Sequence, residues 1–160
     1  MFCVHADYTK DLLVSASADC TVRTYELSTG KPLQVMTGHT SWVLFVQILP
    51  LRNQLVSAAY DTTLRVWSLE TGECLNILTG HTNRIMALAV SPTLSDTGVE
   101  KYIASGSNDG TIRIWDLDSS NTVHIFNTTH KFVSCLAFAD SKVRLTTYTS
   151  RIFALIHPYA

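Results

Sequence analysis

An all-β fold built from repeated four-stranded units is predicted by three observations. Val, Ile and Thr supply 42 of the 160 residues, a bias toward strands. A block of about 15 residues recurs along the chain at spacings of 42 and then 48. Within each block, short alternating apolar runs are separated by residues that favour turns. Charged side chains make up 16% of the chain and the net charge is -1, so no global positive field draws it toward nucleic acid or an anionic membrane. Nucleic-acid binding is therefore disfavoured, and so is disorder.

The recurring blocks are LVSASADCTVRTYEL from Leu13, LVSAAYDTTLRVWSL from Leu55 and IASGSNDGTIRIWDL from Ile103. In each, a serine leads an aspartate by four and the aspartate leads an aromatic by six: Ser15, Asp19, Tyr25; Ser57, Asp61, Trp67; Ser105, Asp109, Trp115. Upstream, apolar residues such as Val43, Val46 and Ile48, or Ile85, Leu88 and Val90, read as a first strand buried on both faces. The serine lies on a second strand, the aspartate in a tight turn, and Leu-Arg-Val-Trp or Ile-Arg-Ile-Trp on a third strand. Asn108-Asp109-Gly110 suits a hairpin needing positive φ, and Gly30 and Gly72 fall at matching turns before a fourth strand. The longer third spacing places an insertion within Thr93 to Glu100, whose composition reads as a surface loop.

Gly38-His39 and Gly80-His81, 42 residues apart, together with Trp115-Asp116 and its variants Trp67-Ser68 and Tyr25-Glu26, make the chain resemble the WD-repeat family. The resemblance covers roughly Val4 to Phe138. It implies an incomplete WD40-type β-propeller with three clear four-stranded blades and a partial, degenerate fourth. The expected blades span about 1–37, 42–79, 84–127 and 132–156, with a divergent tail at 151–160. At a period of 42, the 160 residues hold about 3.8 units, fewer than most closed rings need. Beginning inside a blade, the chain is expected to be a fragment, an alternative start or an incomplete gene model, its uncovered blade faces answered by missing sequence, self-association or a partner that completes the ring. In the fourth unit Thr147 stands in for serine, while Arg151 and His157 occupy the aspartate and tryptophan positions and His130 is one late for the histidine.

The same resemblance implies a structural hydrogen-bond network of His39, Ser57, Asp61 and Trp67, a second of His81, Ser105, Asp109 and Trp115, and a reduced one of Ser15, Asp19 and Tyr25, whose hydroxyl is expected to reach the serine. Ser, His and Asp are also the parts of a nucleophilic triad, so a hydrolase is the competing reading. Repetition argues against it, because a catalytic constellation is built once per domain, and no other enzyme motif is present. No catalytic residue, metal ligand or cofactor is expected; His124 and His130 read as solvated loop histidines.

The resemblance implies a module that binds other proteins or peptides, a scaffold or substrate-recognition unit. The segment Leu64 to Ile85 is similar to repeats of F-box/WD-type proteins, which suggests the substrate receptor of a ubiquitin ligase. Trp42, Arg84 and Phe132 occupy equivalent places before the first strand, and Ala18, Tyr60 and Asn108 precede the turn aspartate. The resemblance implies that such positions look toward a partner-binding face, so Trp42, Tyr60, Arg84, Asn108 and Phe132 are its candidates, Trp, Tyr and Arg being enriched where binding energy concentrates; packing of Trp42 and Phe132 between blades is the equal alternative. Arg23, Arg65 and Arg113 recur two before the aromatic; they read first as solvated strand faces, with a ladder whose stems cover apolar surface, or a site for an acidic partner, as the competing readings. The N-terminus lacks the basic start and apolar stretch of a signal peptide, and no apolar run is long enough to cross a bilayer. With Cys3, Cys20, Cys74 and Cys135 too sparse for a disulfide framework, the cytosol or nucleus is the expected location.

Overall fold

The computed structural model describes residues 1–91, 100–128, 133, 135–139 and 142–146. Fourteen strands and no helix appear among them. Strands β1 (Cys3–Asp7), β2 (Leu12–Ala16), β3 (Val22–Glu26) and β4 (Pro32–Met36) form one antiparallel sheet in sequential order. Strands β5 (Val43–Leu49), β6 (Gln54–Ala59), β7 (Leu64–Ser68) and β8 (Cys74–Leu78) form a second. The third contains β9 (Ile85–Val90), β10 (Tyr102–Ser107), β11 (Thr111–Asp116) and β12 (Thr122–Asn127), and a two-stranded sheet pairs β13 (Cys135–Ala139) with β14 (Lys142–Thr146). These are the three predicted four-stranded blades and the beginning of another. The chain divides into two compact units, 1–80 and 81–160.

In the first unit, Leu12, Val14, Ala16, Val22 and Met36 of the first sheet pack against Val43, Val46, Ile48, Leu55, Ala59 and Trp67 of the second. Burial of this kind is worth roughly 25 cal/mol for each Å² of apolar surface removed from water, and it is what holds two stacked sheets face to face. In the second unit, Ala87, Ala89, Ala104, Ile112 and Ile114 pack against Val133 and Leu136. Here the first strand differs from its prediction: Ala87 and Ala89 are buried, whereas Leu88 and Val90 are half-buried. The small residues let the neighbouring strand approach closely. Gly106 shows the same economy, since a Cβ there would lie 2.3 Å from Cγ1 of Val133. The first two sheets carry Ala16 and Ala58 at that place.

The residue after each turn aspartate has positive φ: Cys20 at 69°, Thr62 at 71° and Gly110 at 82°. Only in the third blade does glycine meet this demand. A β-branched threonine in the left-handed region crowds its own carbonyl. Gly30 (φ 71°) and Gly72 (φ 76°) occupy the predicted turns before β4 and β8. The insertion from Thr93 lies outside the described residues apart from Glu100, which is buried. Phe132, His130, Thr147, Arg151, His157 and the 151–160 tail also lie outside them.

Replacing Thr62 by glycine is expected to raise stability by about 1 kcal/mol, through relief of left-handed strain. Thermal melts of the two proteins check this. An unchanged or lower melting temperature would show that the Thr62 side chain contributes more than its backbone costs.

Candidate functional site

The polar residues predicted from the repeats meet where a hairpin turn folds over the end of each sheet. Ser57 on β6 stands opposite Arg65 on β7, and Trp67 stands opposite Leu55, so the indole lies diagonal to the serine on one face. Its Nε1–H donates to Ser57 Oγ at 2.8 Å. The serine hydroxyl and His39 Nε2 are 2.7 Å apart, and His39 Nδ1 lies 2.7 Å from Asp61 Oδ2. Because the serine oxygen already accepts from the indole, its own proton is free for His39 Nε2, and Nδ1–H then donates to the carboxylate. Proton donation therefore runs in one direction, from tryptophan through serine and histidine to aspartate.

The second unit repeats this arrangement. Trp115 Nε1 donates to Ser105 Oγ at 2.8 Å, the hydroxyl sits 2.8 Å from His81 Nε2, and His81 Nδ1 is 2.8 Å from Asp109 Oδ2. Each carboxylate has further donors. Asp61 accepts from the Thr40 amide at 3.0 Å, the Thr63 amide at 3.0 Å and the Thr63 hydroxyl at 2.8 Å. Asp109 accepts from the Thr82 amide at 3.0 Å, the Thr111 amide at 2.8 Å and the Thr111 hydroxyl at 2.7 Å. Thr63 and Thr111 were not singled out from sequence, although a threonine two residues after each turn aspartate, Thr21 included, is a visible repeat.

Charge follows from these contacts. Desolvation alone would raise the pKa of Asp109, but the donors from Thr111, His81 and Thr82 outweigh it and lower the group to about 2. Asp61 is likewise held well below the ordinary carboxylate range, because donation from His39, Thr40 and Thr63 exceeds the effect of burial. Burial is the main influence on His81 and lowers it from 6.5.

Gly38 is explained by what lies beside it. Its φ is 147°, and a Cβ there would sit 2.7 Å from Nη1 of Arg65, whose guanidinium lies 5.9 Å from the Trp67 ring centroid. Arg113 lies in the same way 6.0 Å from the Trp115 ring. These two arginines are half-buried over the indoles, contrary to the expectation of solvated strand faces.

A profile described as WD domain, G-beta repeat matches residues 30–68 and 72–116, more than half of the sequence and the part that holds both networks. The chain belongs to the WD40 repeat family. A solved structure of the computationally designed Ika8 protein is 32% identical, with a TM-score of 0.74 over 89% of this chain and 41% of that one. This WD40 chain thus spans about two fifths of that structure's length. Comparison with curated proteins gave no match.

The first WD40 blade departs from the other two. No hydrogen bond joins Tyr25 to Ser15, contrary to expectation, although Tyr25 stands opposite Leu13 in the register that Trp67 uses. An indole N–H leaves the ring sideways, toward the diagonal serine. A phenol hydroxyl lies at the far end of the ring axis and passes it. Asp19 pairs instead with Arg23 at 2.9 Å, and its side chain is 46% exposed, against 6% for Asp61. Arg23 consequently does not join the ladder of the competing reading. Asp19 is nevertheless lowered to about 2, chiefly by the Thr21 hydroxyl.

Ser57 and Ser105, the serines of the competing hydrolase reading, are 0% exposed, and each oxygen accepts an indole N–H. Among the described residues, no group of three His, Cys, Asp or Glu side chains could hold a metal ion.

The expected partner face resolves into separate parts. In the first unit, the Tyr60 amide donates to the Trp42 carbonyl at 2.9 Å and the two rings stack 5.6 Å apart at 19°. Phe2 also stacks with Trp42, at 5.5 Å and 30°. In the second unit, the Asn108 amide donates to the Arg84 carbonyl at 3.0 Å, the equivalent backbone contact. Phe2 was missed, because no repeat position marks it.

Replacing Ser57 by alanine is expected to lower stability by about 1 to 3 kcal/mol, by stranding the indole N–H and the imidazole nitrogen. Denaturant unfolding measures it, and a loss near zero would contradict the network's role. Stability should also fall with acid in a defined order. Unfolded His81 takes a proton near 6.5 while the folded imidazole resists it, so its contribution is lost as pH falls below 6.5. The Asp109 contribution holds above its ordinary 3.8 and disappears as pH falls through about 2. Melting temperatures from pH 8 to pH 2 test both, and a flat profile would refute them.

Proposed function

We propose that this WD40 chain is a non-catalytic protein-interaction module that binds other proteins or peptides through the surface around Trp42 and Tyr60. The observation that carries the reading is the Phe2–Trp42–Tyr60 stack. Trp42 is 46% exposed although it is large and apolar, yet its ring stacks with two aromatic neighbours. Rigid aromatic groups exposed to solvent present large contact area at little entropic cost, which suits them as anchors. Arg84 and Asn108 supply a polar counterpart at the equivalent place in the third blade. The cytosol or nucleus is the proposed place of action, because four cysteines in 160 residues are too sparse for a disulfide framework.

A narrower reading makes the chain part of a substrate receptor in a ubiquitin ligase. It rests on the similarity of the segment from Leu64 to Ile85 to repeats of F-box/WD-type proteins.

Quantitative affinity purification with wild type and with Trp42→Ala/Tyr60→Ala tests the proposal. Partners enriched by wild type are expected to fall about tenfold or more, the loss of a hot-spot residue, with the melting temperature unchanged. Equal recovery by both would overturn the assigned surface. Cullin-ligase components among the lost partners would support the narrower reading, and their absence would remove it.

A further inference from the structure

Among the described residues, strands β4, β8 and β12 each end their sheet, so one edge of each has no paired strand there. Proteins normally protect such edges with charge, proline or a covering element, because an open edge is a template for another strand. None of the three contains Asp, Glu, Lys or Arg, and each exposes an apolar pair two residues apart: Leu33 and Val35, Leu75 and Ile77, Val123 and Ile125.

The three edges are not equally open. Strand β4 begins with Pro32, which has no amide to donate, and Gln34 is tied down through Nε2 to the Glu70 carbonyl at 3.0 Å. Strand β12 keeps every second residue half-covered, with His124 against Phe126. In β8, Leu75, Asn76 and Ile77 are exposed in succession, with Leu75 at 45% and Ile77 at 49%. No proline lies in this strand, and no acidic or basic residue falls between Glu73 and His81.

We infer that the β8 edge pairs antiparallel with β8 of a second copy, about a twofold axis through Asn76. In that register Asn76 faces Asn76, and Leu75 of each copy faces Ile77 of the other. The segment is therefore self-complementary, as a twofold interface must be. Two apolar cross-strand pairs form with no like charges opposed. A net charge of -1 offers little long-range repulsion between copies. One short strand buries far less than the roughly 800 Å² per partner of a standard interface, so the dimer is weak and concentration-dependent.

Sedimentation equilibrium of the full 160-residue chain, with amide hydrogen exchange over the same concentrations, tests this. A monomer–dimer equilibrium is expected, with exchange at residues 75–77 slowing as concentration rises. Ile77→Lys should weaken association by about tenfold or more, and Val123→Lys should leave it unchanged. A single monomeric species up to about millimolar concentration, or exchange in β8 independent of concentration, would overturn the inference. So would association that survives Ile77→Lys but is lost in Val123→Lys. Should Ile77→Lys fail to fold, the wild-type exchange data decide alone.

Discussion

A buried carboxylate beneath a hairpin turn is the constraint around which the second and third blades are built. Taking Asp61 or Asp109 out of water costs several kcal/mol unless every oxygen finds a donor. The chain answers with four donors for each: a histidine ring, the amide after it, and the amide and hydroxyl of a threonine two residues on. Those groups come from the loop before the first strand and from the turn between the second and third. Satisfying one carboxylate thus ties together segments 22 residues apart in the second blade and 28 in the third. The serine and tryptophan extend the tie across two further strands and fix their register, since a slip of one residue would turn the serine away from the indole.

In the first blade Val14, Ala16 and Val22 are fully enclosed. Asp19 is bonded there by the Thr21 amide and hydroxyl and by Arg23, at an exposed turn. Gly38 precedes His39 for a reason of space. The loop must bring the ring to the aspartate while leaving room for Arg65 to lie over Trp67, and both the φ of 147° and the lack of a Cβ serve that passage.

Much of this was legible in the sequence because it repeats. Fixed offsets from serine to aspartate to tryptophan, with the two Gly-His pairs, carry the resemblance to the family, the resemblance implies both networks, and alternation locates the strands. Thr63 and Thr111 carried the same periodic signal but were overlooked beside the rarer residue types. The Tyr25 discrepancy has another origin: exchanging indole for phenol preserves a polar hydrogen yet moves it to a different point in space, which spacing cannot register. Leu88 and Val90 were misjudged for a related reason. The degree of burial on each face of β9 depends on its neighbours, and Val133 and Leu136 select the alanine face. Phe2 and the open edge of β8 arise from tertiary placement alone.

Proton donation runs from tryptophan through serine and histidine to the carboxylate. Nitrogen-15 NMR of His81 at neutral pH tests this direction, because the shifts of the two ring nitrogens distinguish the tautomers. The expected spectrum shows a proton on Nδ1, facing Asp109, and a bare Nε2 accepting from Ser105. A proton on Nε2, alone or in an imidazolium, would leave the buried serine hydroxyl without its acceptor and would contradict it.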